Sequence, residues 1–328
     1  MCDIFCFRSL NDTQQFRVRW LTRPARALAP IIHLTVRWAA IALCLVLLTN
    51  CSTLHTGQKT LYERPSPYNN ILVTEDKAGF FTLYFERGGA RQSVVKLGDP
   101  DHLELPYTKM MLSGLALCGD PQRILIVGLG GGTIPKFLHK HYPQAVIDVV
   151  DIDPDVIKVA RQFFEFYDDD NLRAYVSDGR KFIEDRPGLY DMIFLDAFDT
   201  DNTPYHLTTR EFFLSVKNAL TPRGVALGNI WRSIYNPLYD SMVRTYLAVF
   251  DEVHLLDVKE DVNIILIALP RRLQLSREDL ASRARLVSQS KGFRFDLGNA
   301  VEFGYLQVDK EVLESPVLTD ARRPPEAK

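Results

Sequence analysis

The sequence predicts an α/β fold: a doubly wound, largely parallel sheet preceded by a small antiparallel β-domain. Three observations predict it. From residue 123 onward, short β-branched apolar runs alternate with helical spacings, the pattern of βαβ units joined by right-handed crossovers. The first run, 124–127, stops at four glycines within five positions, and a helical pattern follows at once. Ahead of it, "NILVTED", "FFTLYFERGG" and "ARQSVVKL" are β-branched and aromatic runs separated by charged or glycine-containing turns, which read as an antiparallel sheet.

In order along the chain, residues 1–51 form a leader outside the fold. Residues 1–37 hold six arginines against Asp3 and Asp12, and an apolar core of about ten residues, 39–48, follows. Such a core is short for a bilayer span and suits an export signal. It ends at Leu48-Thr49-Asn50-Cys51. This resembles a bacterial lipoprotein box with Cys51 as the lipidated residue, although Asn50 stands where a small residue is usual. The expected location is therefore membrane-attached and exported, or cytoplasmic if the leader is an artefact of the gene model. Residues 52–70, polar with Pro65 and Pro67, read as a linker, 71–112 as the β-domain, 113–275 as the doubly wound domain and 276–328 as a helical or irregular tail.

Strands are expected at 123–128, 146–151, 173–176, 191–196 and 224–230, and helices at 133–141, 154–167, 179–184, 208–219 and 235–249. A last strand pair, "EVHLLDV" and "NIILIALP", closes the sheet, and a helix is expected over 277–290. Composition is that of an ordinary globular chain, 46% hydrophobic and 24% charged, and a net charge of −2 gives no electrostatic case for nucleic acid. The five scattered cysteines form neither a disulfide framework nor a metal site.

The glycine turn, Gly128, Gly130, Gly131 and Gly132, opens a helix where backbone N–H groups can meet a ligand. Asp151 ends the second strand, 23 residues after Gly128, where a carboxylate meets ribose hydroxyls. Asp153 with Pro154 already makes a helix cap and first turn, leaving Asp151 for a ligand. Asp178 and Gly179 form the next acidic turn, and a carboxylate there can accept from an adenine amine. Asp196 ends the fourth strand, at the sheet edge that binds ligands, with Asp199 close behind. Clustered carboxylates beside a nucleoside site suit a cationic or proton-losing substrate.

Together, "ILIVGLGGG", "VVDIDPDVIKVAR", "VSDGRKFI" and "YDMIFLDAFD" resemble the spermidine synthase family of aminopropyltransferases over residues 60–270. The resemblance implies a Rossmann-like fold of the class I methyltransferase type and a donor that is decarboxylated S-adenosylmethionine or S-adenosylmethionine. It implies a small-molecule amine acceptor, no metal, and a possible homodimer. By it, Asp151 holds the ribose, Asp178 the adenine, Asn69 and Gln92 flank the nucleoside, and Asp196 takes the proton of the attacking amine. Tyr107 and Asp199 meet the acceptor.

Three departures stand out. Thr133 replaces the family's glycine-loop Asp, Tyr107-Thr108-Lys109 replaces Tyr-His-Glu or Tyr-Gln-Glu, and Asp196-Ala197-Phe198-Asp199 keeps only the carboxylates of its motif. The adenosyl half is intact and the amine half altered. The residues leave three readings open: aminopropyl transfer, methyl transfer from S-adenosylmethionine, or a non-catalytic nucleoside- or polyamine-binding lipoprotein. His206, Trp231 and Tyr235 have bland readings, in a helix start and in core packing.

Overall fold

The computed structural model describes residues 57–199 and 202–324. The leader, with Cys51, lies outside them. The fold begins with a four-stranded antiparallel sheet in sequential order: β1 (Lys59–Pro65), β2 (Asn70–Glu75), β3 (Phe80–Tyr84) and β4 (Arg91–Lys96). Strand β1 falls within the stretch expected to be linker. It pairs with β2 from Lys59↔Glu75 to Pro65↔Asn70. As an edge strand it tolerates its terminal proline, which has no ladder N–H to give.

A broken helical segment follows: α1 (Pro106–Met111), a 3-10 turn (Leu112–Gly114) and α2 (Leu115–Cys118). Then come β5 (Arg123–Val127), α3 (Thr133–His141), β6 (Val146–Asp151), α4 (Pro154–Phe163), β7 (Leu172–Val176), α5 (Gly179–Glu184), β8 (Tyr190–Leu195), α6 (Arg210–Ala219), β9 (Leu220–Trp231), α7 (Tyr239–Val249), β10 (Glu252–Asp257) and β11 (Asn263–Leu269). The C-terminal part contributes α8 (Arg277–Lys291), α9 (Leu297–Gly304), a two-residue strand β12 (Tyr305–Leu306) and α10 (Lys310–Glu314).

The large sheet runs β12-β10-β11-β9-β8-β5-β6-β7. Its β7-β6-β5-β8-β9 portion is parallel, and β11, β10 and β12 add antiparallel strands. Chain order reverses between β5 and β8, which opens a crevice at their carboxyl ends. Both faces of the sheet are covered, so its central strands read as unbroken apolar runs. Successive side chains still divide between two cores. Ile124 and Ile126 of β5 join one core with Phe137, Phe164 and Phe166, while Leu125 and Val127 join the other with Phe212, Phe213 and Tyr246.

Three helix boundaries differ from the pattern. The helix expected over 154–167 stops at Phe163. Phe164 and Phe166 turn into the core, and Glu165 between them takes a positive φ of 52°. The helix expected from 235 starts at Tyr239, because Pro237 keeps Asn236 out of helical geometry. The helix expected from 208 starts at Arg210, where the side chain of Thr209 accepts from the N–H of Phe212.

Candidate active site

The crevice is a cavity of about 490 Å³, within the size range of small-molecule sites. The carboxyl ends of β5, β6 and β8, the turn before α5, β4 and α1 wall it. The loop between β10 and β11 adds Glu260, Asp261 and Val262.

Asp151 lies where the sequence puts it, but it is not free. Its Oδ2 accepts the Leu129 N–H at 2.9 Å and its Oδ1 the Asp153 N–H at 2.9 Å. A carboxylate has about four lone-pair positions, so capacity remains for a diol. Burial, only partly offset by these N–H groups, pushes its pKa up to about 6. Asp153 caps α4 through the Asp155 N–H and is tied by Ser66 Oγ to the turn after β1. That turn carries Asn69 into the cavity wall beside Gln92, and the Asn69 Oδ1 is buried with no protein partner. Tyr68 of the same turn is exposed.

The glycine turn makes its closest approaches to the protein itself. Gly128 has a φ of 98°, and a Cβ there would stand 2.3 Å from the Asp196 carbonyl oxygen. Gly128 and Gly130 line the cavity. Gly131 and Gly132, expected to touch a cofactor, instead back onto Phe164, Ser93 and Phe166, behind the wall. Thr133 lines the cavity, buried, with its hydroxyl 3.3 Å from Ser93 Oγ.

Asp178 caps α5 through the Lys181 N–H at 3.0 Å, with Gly179 beside it in the wall. Its other oxygen accepts from His206 Nε2 at 2.8 Å. Burial works to raise its pKa, but the Lys181 N–H and His206 outweigh it and hold the carboxyl below its ordinary value. His206 is thus a wall residue of the cavity, against its bland reading.

Asp196 follows β8 on the cavity floor. Oδ1 accepts from Asn229 Nδ2 at 2.8 Å, and Oδ2 from the Tyr107 hydroxyl at 3.3 Å. Asn229 in turn accepts from Asn263 Nδ2 at 2.7 Å. Burial raises Asp196 to about 7, with Asn229 and Tyr107 pulling the other way. Burial and the Asp196 charge push the Tyr107 phenol well above its usual value. Asp196 is therefore a carboxylate poised near neutrality, held by two donors of fixed orientation. Asn229 and Asn263 carry no motif. Their only sequence signal is a lone amide beside an apolar run, near the end of β9 and at the start of β11.

The amine end differs most from expectation. Asp199 is exposed, accepts the Asn202 N–H at 2.8 Å and is not part of the cavity wall. Glu260 and Asp261 add carboxylates to the cavity wall. Arg232 braces their loop, donating to the Asp261 and Val258 carbonyls at 3.1 Å and pairing with Asp257 at 2.6 Å. Phe198 and Trp231 stack at 5.7 Å, so Trp231 is a wall as well as a packing residue. Lys109 does not line the cavity. Among the described residues no cluster of His, Cys, Asp and Glu could hold a metal ion.

A doubly wound sheet with acidic strand ends around its switch point defines a nucleoside-binding α/β protein. Comparison with known proteins narrows the class. Residues 104–233 match the spermine/spermidine synthase domain. The chain is 32% identical over 296 residues to the polyamine aminopropyltransferase of Vibrio vulnificus, covering 87% of this chain and 96% of that protein. The chain belongs to the spermidine synthase, or polyamine aminopropyltransferase, family. Among solved structures, a probable spermidine synthase from Corynebacterium glutamicum shares the fold, with a TM-score of 0.61 at 24% identity over 69% of this chain and 86% of that one. Human methyltransferase-like protein 13, solved with SAH, is 32% identical with a TM-score of 0.52, covering 57% and 93% respectively.

Proposed function

We propose that this chain transfers an aminopropyl group from decarboxylated S-adenosylmethionine to an amine. The observation that carries the reading is Asp196, half-buried in the cavity wall with a pKa raised to about 7 between Tyr107 and Asn229. The donor's sulfonium activates the carbon that reacts. The amine nitrogen attacks that carbon, the C–N bond forms as the C–S bond breaks, and a neutral thioether leaves. The new ammonium's proton goes to Asp196, whose pKa suits that exchange near pH 7. Positioning of the two reactants supplies much of the acceleration.

The residues present fit an adenosyl group. Asp151 keeps acceptor capacity for the ribose hydroxyls, Asp178 stands at the purine end, and Asn69 lines the same space. Gln92 joins Asn69 beside the nucleoside. Glu260 and Asp261, rather than Asp199, offer negative charge to the acceptor. Methyl transfer is the weaker reading, because the relative matched over 96% of its length is named an aminopropyltransferase.

The test is product analysis with the full-length protein. Decarboxylated S-adenosylmethionine and a panel of aliphatic mono- and diamines should yield methylthioadenosine and an amine heavier by one aminopropyl unit. S-adenosylhomocysteine formed from S-adenosylmethionine, with no methylthioadenosine from the decarboxylated donor, would reverse the assignment.

A further inference from the structure

The donor end contains a contact that the proposed reaction does not use. Asp178 receives the Lys181 N–H from the helix side, while His206 takes its second oxygen at 2.8 Å, and both side chains line the cavity. The imidazole thus takes one acceptor position of a carboxylate that lines the cavity. The backbone that carries His206 is held in place. Arg180, two residues past Asp178, donates to the His206 carbonyl at 3.4 Å and grips Asp320 through two bonds of 2.8 and 2.6 Å. Thr209 donates to the same Asp320 at 2.7 Å, and the Asp320 N–H donates to Glu211 at 3.0 Å. The Tyr205 hydroxyl meets the Thr319 and Arg322 carbonyls at 2.9 and 2.8 Å, with the Arg323 guanidinium 5.4 Å from its ring. The chain's C-terminal segment is therefore fastened over the turn that carries His206.

We propose that His206 competes with the donor for Asp178. It occupies Asp178 when the site is empty and yields it to the amino group of an incoming purine, and the Asp320–Arg180 clamp sets how firmly it holds. The idea rests on the adenosyl-site reading above and adds a competitor to it. Donor affinity then reflects a difference: the bond that the base gains at Asp178, less the bond that His206 gives up. A partly exposed ion pair is worth about 0.2–1 kcal/mol, so its removal corresponds to about a 1.4- to 5-fold change in affinity. His206 is 45% exposed and Asp178 20%, which places the pair in that class.

The experiment is calorimetric titration of methylthioadenosine into the full-length protein and three variants. His206→Ala should bind it more tightly than the parent, by about 1.4- to 5-fold. His206→Gln, which keeps an N–H donor, should stay near the parent. Asp320→Ala should move affinity in the same direction as His206→Ala, and the KM for the amine should be unchanged in all three. A residue that only stabilises the fold would not tighten binding when removed. Unchanged or weaker binding in His206→Ala overturns the competition, and parent-like binding in Asp320→Ala overturns the clamp. If neither parent nor variants bind methylthioadenosine, the adenosyl site falls and this proposal with it.

Discussion

At the scale of single residues, Asp196 shows how a site can weaken the fold that holds it. Its carboxyl ionises near 7 in the folded chain against an ordinary 3.8. Between those values the native state keeps a proton that the unfolded chain has lost, so stability falls as pH rises through the window. Each unit corresponds to about 1.4 kcal/mol, or up to about 4 kcal/mol here, and about 2 after allowance for solvent screening. Asp196→Asn should therefore be more stable than the parent at pH 8 and no more stable at pH 4, read from urea denaturation at both pH values. The same variant should lose aminopropyl transfer by about 100-fold or more, the usual scale of a lost general base. In the parent, the rate should climb with pH through about 7. Tyr107→Phe removes a donor that favours the ionised carboxylate, so it should move that climb to higher pH, as a pH–rate profile would show. Gly128→Ala should fail differently. Its new Cβ meets backbone at the Asp196 carbonyl from a left-handed conformation, so loss of activity should come with a lower Tm.

At the scale of elements, the β10–β11 loop, braced by Arg232, forms one wall of the cavity, which the proposed function gives to the acceptor. Arg232→Ala removes two bonds to loop carbonyls and the pair with Asp257. It should raise the KM for the amine several-fold while leaving methylthioadenosine affinity unchanged, and a steady-state and calorimetric comparison separates the two. This is also where sequence reading met its limit. The parallel strands were legible because each is a short apolar run with a turn signal at its end, and Asp151, Asp178 and Asp196 follow from their places at those ends. Strand β1 was not legible, because an edge strand needs few apolar residues and carries a proline without penalty. Asn229 and Asn263 were hidden by distance in sequence, since their meeting depends on the antiparallel pairing of β9 with β11. Glu260 and Asp261 carry no motif, and only the pairing of β10 with β11 brings their turn to the cavity. Asp199 drew attention by its nearness to Asp196 along the chain, yet its side chain caps the local turn at Asn202.

At the scale of the whole molecule, the leader is the largest part of the sequence outside the described structure, and among the described residues no helix is long and apolar enough to cross a membrane. We propose that attachment, if the leader is used as read, depends on Cys51. Radiolabelled palmitate should then enter the full-length protein in a bacterial host and fail to enter Cys51→Ala, which should also leave the membrane fraction. Label in both would place the modification elsewhere. Within the folded part, the reversal of chain order between β5 and β8 divides labour between two sides of one crevice. Gly128, Asp151 and Asp178 belong to the β5-β6-β7 side, and Asp196, Asn229 and Asn263 to the β8-β9-β11 side. On the function proposed above, the seam sets most of the donor's contacts apart from most of the acceptor's, so substitutions on the second side should retune which nucleophile is served more than which nucleoside is held. A chimera that joins residues 57–189 of this chain to the later half of a relative should inherit its donor from the first and its acceptor from the second.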